Sequence, residues 1–148
     1  MYLLQHMFLH VLQEGLGFRQ VEDYYYLLKS SERTDTTQMV ETIKFLRLNE
    51  FAGAVMYVLQ EALEEHFLIV PADERRGAFL LNEIMKSGNF GKTDERNWKL
   101  HSQTGVRKRV SQLKRKMRFV KDYPVEVLNG PSQVYHILWR KMKLWRWE

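Results

Sequence analysis

The sequence predicts an all-α fold: one irregular bundle of six or seven helices with no significant sheet. Three observations predict it. Apolar residues recur at the helical spacing of three and four through most of the chain. No stretch alternates apolar and polar residues for more than a few positions, as a half-buried strand would. Only three prolines and eight glycines occur, and most fall where a helix should begin or end.

The first helix is expected over 2–14, with Leu4, Met7, Phe8, Val11 and Leu12 on one face and Gly15 and Gly17 ending it. A second follows over 18–29, turning Phe18, Val21, Tyr25 and Leu28 inward. After a polar connection, Asp35 caps a third helix that buries Met39, Val40, Ile43 and Leu46. Asn49 is the natural cap of a fourth, over 50–67, with Phe51, Ala54, Val55, Val58, Leu59 and Ala62 as its apolar stripe. Pro71 holds the residue before it out of helical geometry, so 68–71 is extended or a turn. Asp73 then caps a fifth helix that buries Phe79, Leu80, Ile84 and Met85 and stops at Gly88. A long sixth helix begins near residue 94, breaks around 102–105, and resumes with Val106, Val110, Leu113, Met117 and Val120 inward. Tyr123-Pro124 stops it. Pro131 fits the first turn of a seventh, on which Val134, Leu138, Met142 and Trp145 share a face.

A chain of 148 residues is one ordinary domain, and no linker divides residues 1–148. The absence of cysteine excludes disulfides and thiolate metal sites and suits a reducing, cytoplasmic setting. No stretch approaches the ~20 apolar residues of a transmembrane helix, and the apolar start lacks the basic flank and small-residue cleavage site of a signal peptide. Charge is lopsided. Residues 1–96 carry ten Lys/Arg against fifteen Asp/Glu, whereas residues 97–148 carry thirteen against three. The basic third therefore seeks phosphate, acidic lipid or the acidic remainder of its own chain.

Several constellations could carry chemistry. His6, His10 and Glu14 form a row along the first helix. The spacing of the two histidines suits a metal, but Met7 stands where the zinc-protease motif needs glutamate, and polar helix positions hydrogen-bonded to neighbouring elements are the commoner meaning of such a row. In the stretch 15–24, Arg19 and Gln20 open the second helix. Arg19 either pairs with Asp23 one turn on or holds phosphate beside the helix N-terminus. Arg107, Lys114, Arg118 and Lys121 make a basic face on the sixth helix, either solvated or directed at nucleic acid or an anionic surface. Gly88-Asn89-Phe90-Gly91 is too short for a dinucleotide fingerprint. No phosphate-loop motif and no glycine-flanked serine is present. The tryptophans at 139, 145 and 147 call for docking on the core or on a partner, a second copy included.

The string HVLQEGLGFRQVEDYYYLL, from His10, resembles the pattern of a histidine, then G-h-G-h-R-Q, then D-[YW], of an uncharacterised nucleotidyltransferase family abundant in Bacteroides and relatives. LLNEIMKSGNFG at 80–91, then Tyr123-Pro124-Val125-Glu126-Val127-Leu128, Pro131 and Trp139-Arg140-Lys141, continue the resemblance over almost the whole chain. Complete members look like the polymerase-β-type fold, with an N-terminal mixed sheet carrying a D-h-D pair for Mg²⁺ and a nucleoside triphosphate. This chain has no such acidic pair. The resemblance therefore implies the C-terminal helical half alone, without catalysis or cofactor of its own, partnered by an N-terminal catalytic half, and with Met1 inside a longer ancestral protein. It also implies that His10, Arg19, Gln20, Asp23 and Asn89 face substrate or phosphate, Arg19 as the anion contact and Asp23 as its orienting partner.

Overall fold

The computed structural model describes residues 2–13, 15–30, 36–87 and 106–128. They are mostly helical and contain no strand. Six helices run in order: α1 Tyr2–Gln13, α2 Phe18–Ser30, α3 Thr36–Phe45, α4 Asn49–Leu63, α5 Glu74–Ser87 and α6 Val106–Val120. A further helical stretch occupies 124–128. The all-α expectation holds. The expected first part of the sixth helix, the seventh helix and Asn89 lie outside the described residues, as does the side chain of Arg107.

The centre of the bundle is α4. Phe51, Ala52, Ala54, Val55, Met56, Val58 and Leu59 are all buried, more than one face of a helix can supply, so α4 is enclosed on most sides. It packs most extensively against α5, while α2 and α3 also rest on it and α1 packs on α2 and α6. The α4–α5 crossing is close because glycines sit at it. A Cβ on Gly77 of α5 would overlap the Tyr57 side chain of α4, and one on Gly53 of α4 would lie 3.0 Å from the Pro71 carbonyl oxygen. The Asp73 N–H donates to the Gly53 carbonyl at 3.0 Å, so the chain entering α5 is tied directly to α4.

Aromatic rings join the helices at one end. Phe8 of α1 meets Phe51 of α4 at 5.0 Å between centroids. Tyr123 lies 5.9 Å from Phe51 and 6.4 Å from Phe79 of α5, and Phe79 in turn meets Phe119 of α6 at 5.5 Å. Tilted and edge-on arrangements at these separations suit the ring quadrupoles.

Four expectations are corrected by packing. Tyr24, not Tyr25, is the buried tyrosine of α2. Tyr25 instead reaches Glu65 beyond α4, joined there by Lys29, whose ammonium donates to both. The fourth helix stops at Leu63, four residues early, because Glu64 takes left-handed backbone geometry, φ 56°, and turns the chain out. Met85 is exposed on α5. The largest correction concerns α6, which is rolled over relative to its apolar pattern. Arg115 and Phe119 face the core, and Val110, Leu113 and Met117 face outward.

Arg47 shows how a local rule is broken at modest cost. The Leu48 N–H donates to the Ile43 carbonyl at 3.0 Å, a helix-terminating bond that needs a left-handed residue between them. Arg47 supplies it at φ 53°, where glycine is the unstrained choice. Arg47→Gly should therefore stabilise the fold by about 0.5–1 kcal/mol. Thermal unfolding checks this, and a lowered midpoint would mean that the exposed arginine makes a compensating interaction.

Candidate functional site

The α1–α2 corner is built by its glycines and one glutamine. Gly15, at φ 117°, closes α1 by donating its N–H to the His10 carbonyl at 2.8 Å. A side chain there would be strained, which explains glycine at this position. The Gly17 N–H then donates to the Gln20 side-chain oxygen at 2.8 Å, while the Gln20 N–H returns to the Gly17 carbonyl at 3.2 Å. This reciprocal pair satisfies donors that a helix start leaves orphaned. Gln20 is thus buried and structural through its oxygen. Its Nε2 is buried too, without an acceptor among the described residues.

Arg19 and Asp23 lie on the exposed side of α2, one turn apart. No acidic side chain occupies the first turn of α2, so that turn itself does nothing to offset the positive end of the helix dipole. His10 sits across the corner, half-buried on α1, with its Nε2 3.0 Å from the Nε2 of His6 and the two rings edge to face. At that distance one imidazole donates and the other accepts. No group of three or more metal-ligating side chains occurs among the described residues, and Glu14, the third member of the row on α1, lies outside them.

The basic face of α6 is divided by the helix's orientation. Lys114 and Lys121 are exposed. Arg118 turns toward α5, its Nη1 3.7 Å from the Glu83 carboxylate. Arg115 is only 2% exposed, donates from Nε to the Val11 carbonyl at 2.6 Å, and stacks 5.5 Å from the Phe119 ring centroid. It fastens α6 to α1.

Sequence reasoning missed the densest polar site among the described residues, which centres on Arg76 at the start of α5. Its guanidinium donates to Asp73 at 2.6 Å, to Glu50 of α4 at 2.8 Å and to the Asp122 carbonyl at 2.6 Å. Its own carbonyl accepts from the Tyr123 hydroxyl at 3.0 Å. Asp73 caps α5, as expected, by accepting from the Arg76 N–H at 2.9 Å. Burial opposes ionisation of Asp73, but the backbone and guanidinium bonds from Arg76 together hold its carboxyl below the ordinary range. Arg75 reaches the Asp122 carboxylate. The signals were present: two adjacent arginines behind the cap Asp73, and the block containing Tyr123 and Glu126. Their convergence depends on chain crossings that no local pattern encodes.

Glu126 corrects the expected cap of α4. The helix begins at Asn49, and Leu48 before it has no side chain to cap with. The Glu126 carboxylate instead accepts from the Glu50 N–H at 2.9 Å and the Phe51 N–H at 3.2 Å, the second and third helical positions that a local cap would serve. Burial, aided by the neighbouring Glu50, pushes the Glu126 carboxyl up to about 7. The folded chain therefore keeps this proton to higher pH than the unfolded chain, which releases it near 4.5. The stability this group contributes is present at about pH 4.5 and is lost as the pH rises through about 7. Glu126→Gln keeps an oxygen for both N–H groups and removes the titration, so its stability should vary less than the parent's between about pH 5 and about pH 8. Denaturant unfolding across that window measures the difference. Parallel curves would show that Glu126 ionises normally.

No helix among the described residues is long and apolar enough to cross a membrane. In comparisons with known proteins, no family model, no curated protein and no solved structure matches the chain.

Proposed function

We propose that this chain is the helical substrate-side domain of a nucleotidyltransferase-like protein, without catalysis of its own. It would hold a phosphate-bearing ligand at the α1–α2 corner while a separate fold contributes the Mg²⁺-binding carboxylates. The observation that carries this reading is the corner itself. Its backbone is fixed by Gly15 and by the Gly17–Gln20 pair, its helix N-terminus has no acid in the first turn, and Arg19 is exposed beside it. The Phe18 and Arg19 N–H groups, which the Gly17–Gln20 pair does not use, together with the helix dipole and an arginine favour one kind of ligand, an oxyanion. The motif resemblance points to the same residues, with Asp23 positioning Arg19.

Titration with inorganic tripolyphosphate, followed by backbone amide resonances, tests it. Gly17, Phe18 and Arg19 should shift, and Arg19→Ala should weaken binding by about tenfold. Unmoved resonances at this corner would end the reading. A second reading, a binding module working through α6 on nucleic acid or an anionic surface, is favoured by the outward Lys114 and Lys121.

A further inference from the structure

The outward face of α6 is apolar where a solvated helix would be polar. Val110, Leu113 and Met117 are 46%, 61% and 65% exposed. Their spacing of three and four places them in one stripe. Lysines border it on both sides: Lys114 and Lys121, each four residues after a member of the stripe, on one edge, and Lys116 on the other. The inward side of the same helix is anchored by Arg115 on the Val11 carbonyl and by Phe119 among the core rings, so α6 cannot roll to hide the stripe without breaking both.

We propose that this face binds the surface of an anionic lipid bilayer, with the apolar stripe entering the acyl boundary and the lysines meeting lipid phosphates. The inference rests on the second reading above and narrows it to one partner. Charge selects that partner. Two copies pairing stripe to stripe would bring their bordering lysines together, and the stripe offers no aromatic ring on which a nucleic-acid base could stack. An interfacial helix instead has an apolar strip flanked by lysine, whose carbon stems lie along the strip while the ammonium groups reach outward. Sequence composition gives independent support. Residues 131–148 combine three tryptophans with four Lys/Arg and one acid, a mixture suited to the headgroup layer.

The full chain is mixed with vesicles of equimolar phosphatidylglycerol and phosphatidylcholine, and with phosphatidylcholine alone, and sedimented at several salt concentrations. Binding should require the anionic lipid and weaken with salt. Leu113→Glu and Met117→Glu change outward residues and should leave thermal unfolding unchanged while reducing partitioning about tenfold or more. Lys114→Glu and Lys121→Glu should each reduce it about fivefold or more. Because the chain has no cysteine, Leu113→Cys accepts a single environment-sensitive dye, which should shift to the blue on anionic vesicles. Absence of vesicle binding at low salt overturns the proposal. So does binding that survives both apolar substitutions, or a dye that does not shift while vesicles bind. If a DNA or RNA oligonucleotide binds and vesicles do not, the lipid proposal falls and the second reading stands. If neither binds, both fall.

Discussion

Gly77→Ala should destabilise the protein by about 3 kcal/mol, a large effect for one methyl group. The added carbon would overlap the Tyr57 side chain, including its Cβ and so the part of the residue that cannot rotate away. Relief must come from separating α4 and α5. That separation would loosen the contacts of Leu80 and Ile84, both buried in the core, and would pull on the Asp73–Gly53 hydrogen bond. The helix propensity of alanine returns only about 1 kcal/mol. Chemical denaturation should show the midpoint falling with little change in its slope. Tyr57→Ala should relieve part of the penalty in the double variant, giving a favourable coupling between the two positions. Additive effects would show that the crossing is looser than the structure has it.

Arg76→Met should cost about 2–3 kcal/mol. Methionine can fill the space of the alkyl stem, but it leaves Glu50, Asp73 and the Asp122 carbonyl without their shared donor. The figure lies below that for a deeply buried pair because the acidic partners are only half-buried. Arg76→Lys should recover less than half of the loss, since one ammonium cannot direct donors to three acceptors on separate segments. Equilibrium unfolding of the two variants checks both statements. A lysine variant as stable as the parent would mean that charge alone, without the fork, holds this joint.

Both substitutions act where neighbouring helices meet, which is also where the sequence is hardest to read. Helix existence was legible because periodicity and punctuation act locally: Gly15 ends α1 and Asp73 caps α5 in the expected places. The roll of α6 was not. Its apolar residues form the better stripe, yet Arg115 and Phe119 take the inward side because a carbonyl on α1 and a cluster of rings await them there. The end of α4 was misjudged because nothing in the residues after Leu63 forbids helix, and only the backbone at Glu64 shows the turn. At the candidate corner, Arg19, Gln20 and Asp23 stand out in the sequence as a polar cluster at a helix start, but the role of Gln20 as a helix-start partner needed coordinates. Arg76, Asp122 and Glu126 come from positions far apart in the chain, so their meeting could not be read from spacing.

The reach of Glu126 across 76 positions to the start of α4 bears on how the protein is made. A ribosome delivers the central helix early and its terminal acceptor late. A nascent chain that has emerged only through α5 already contains most of the oily interior, yet its middle rod has an unfinished first turn. Completion waits for the strongly cationic stretch that carries Glu126, so a later segment closes a structure that an earlier one had only begun.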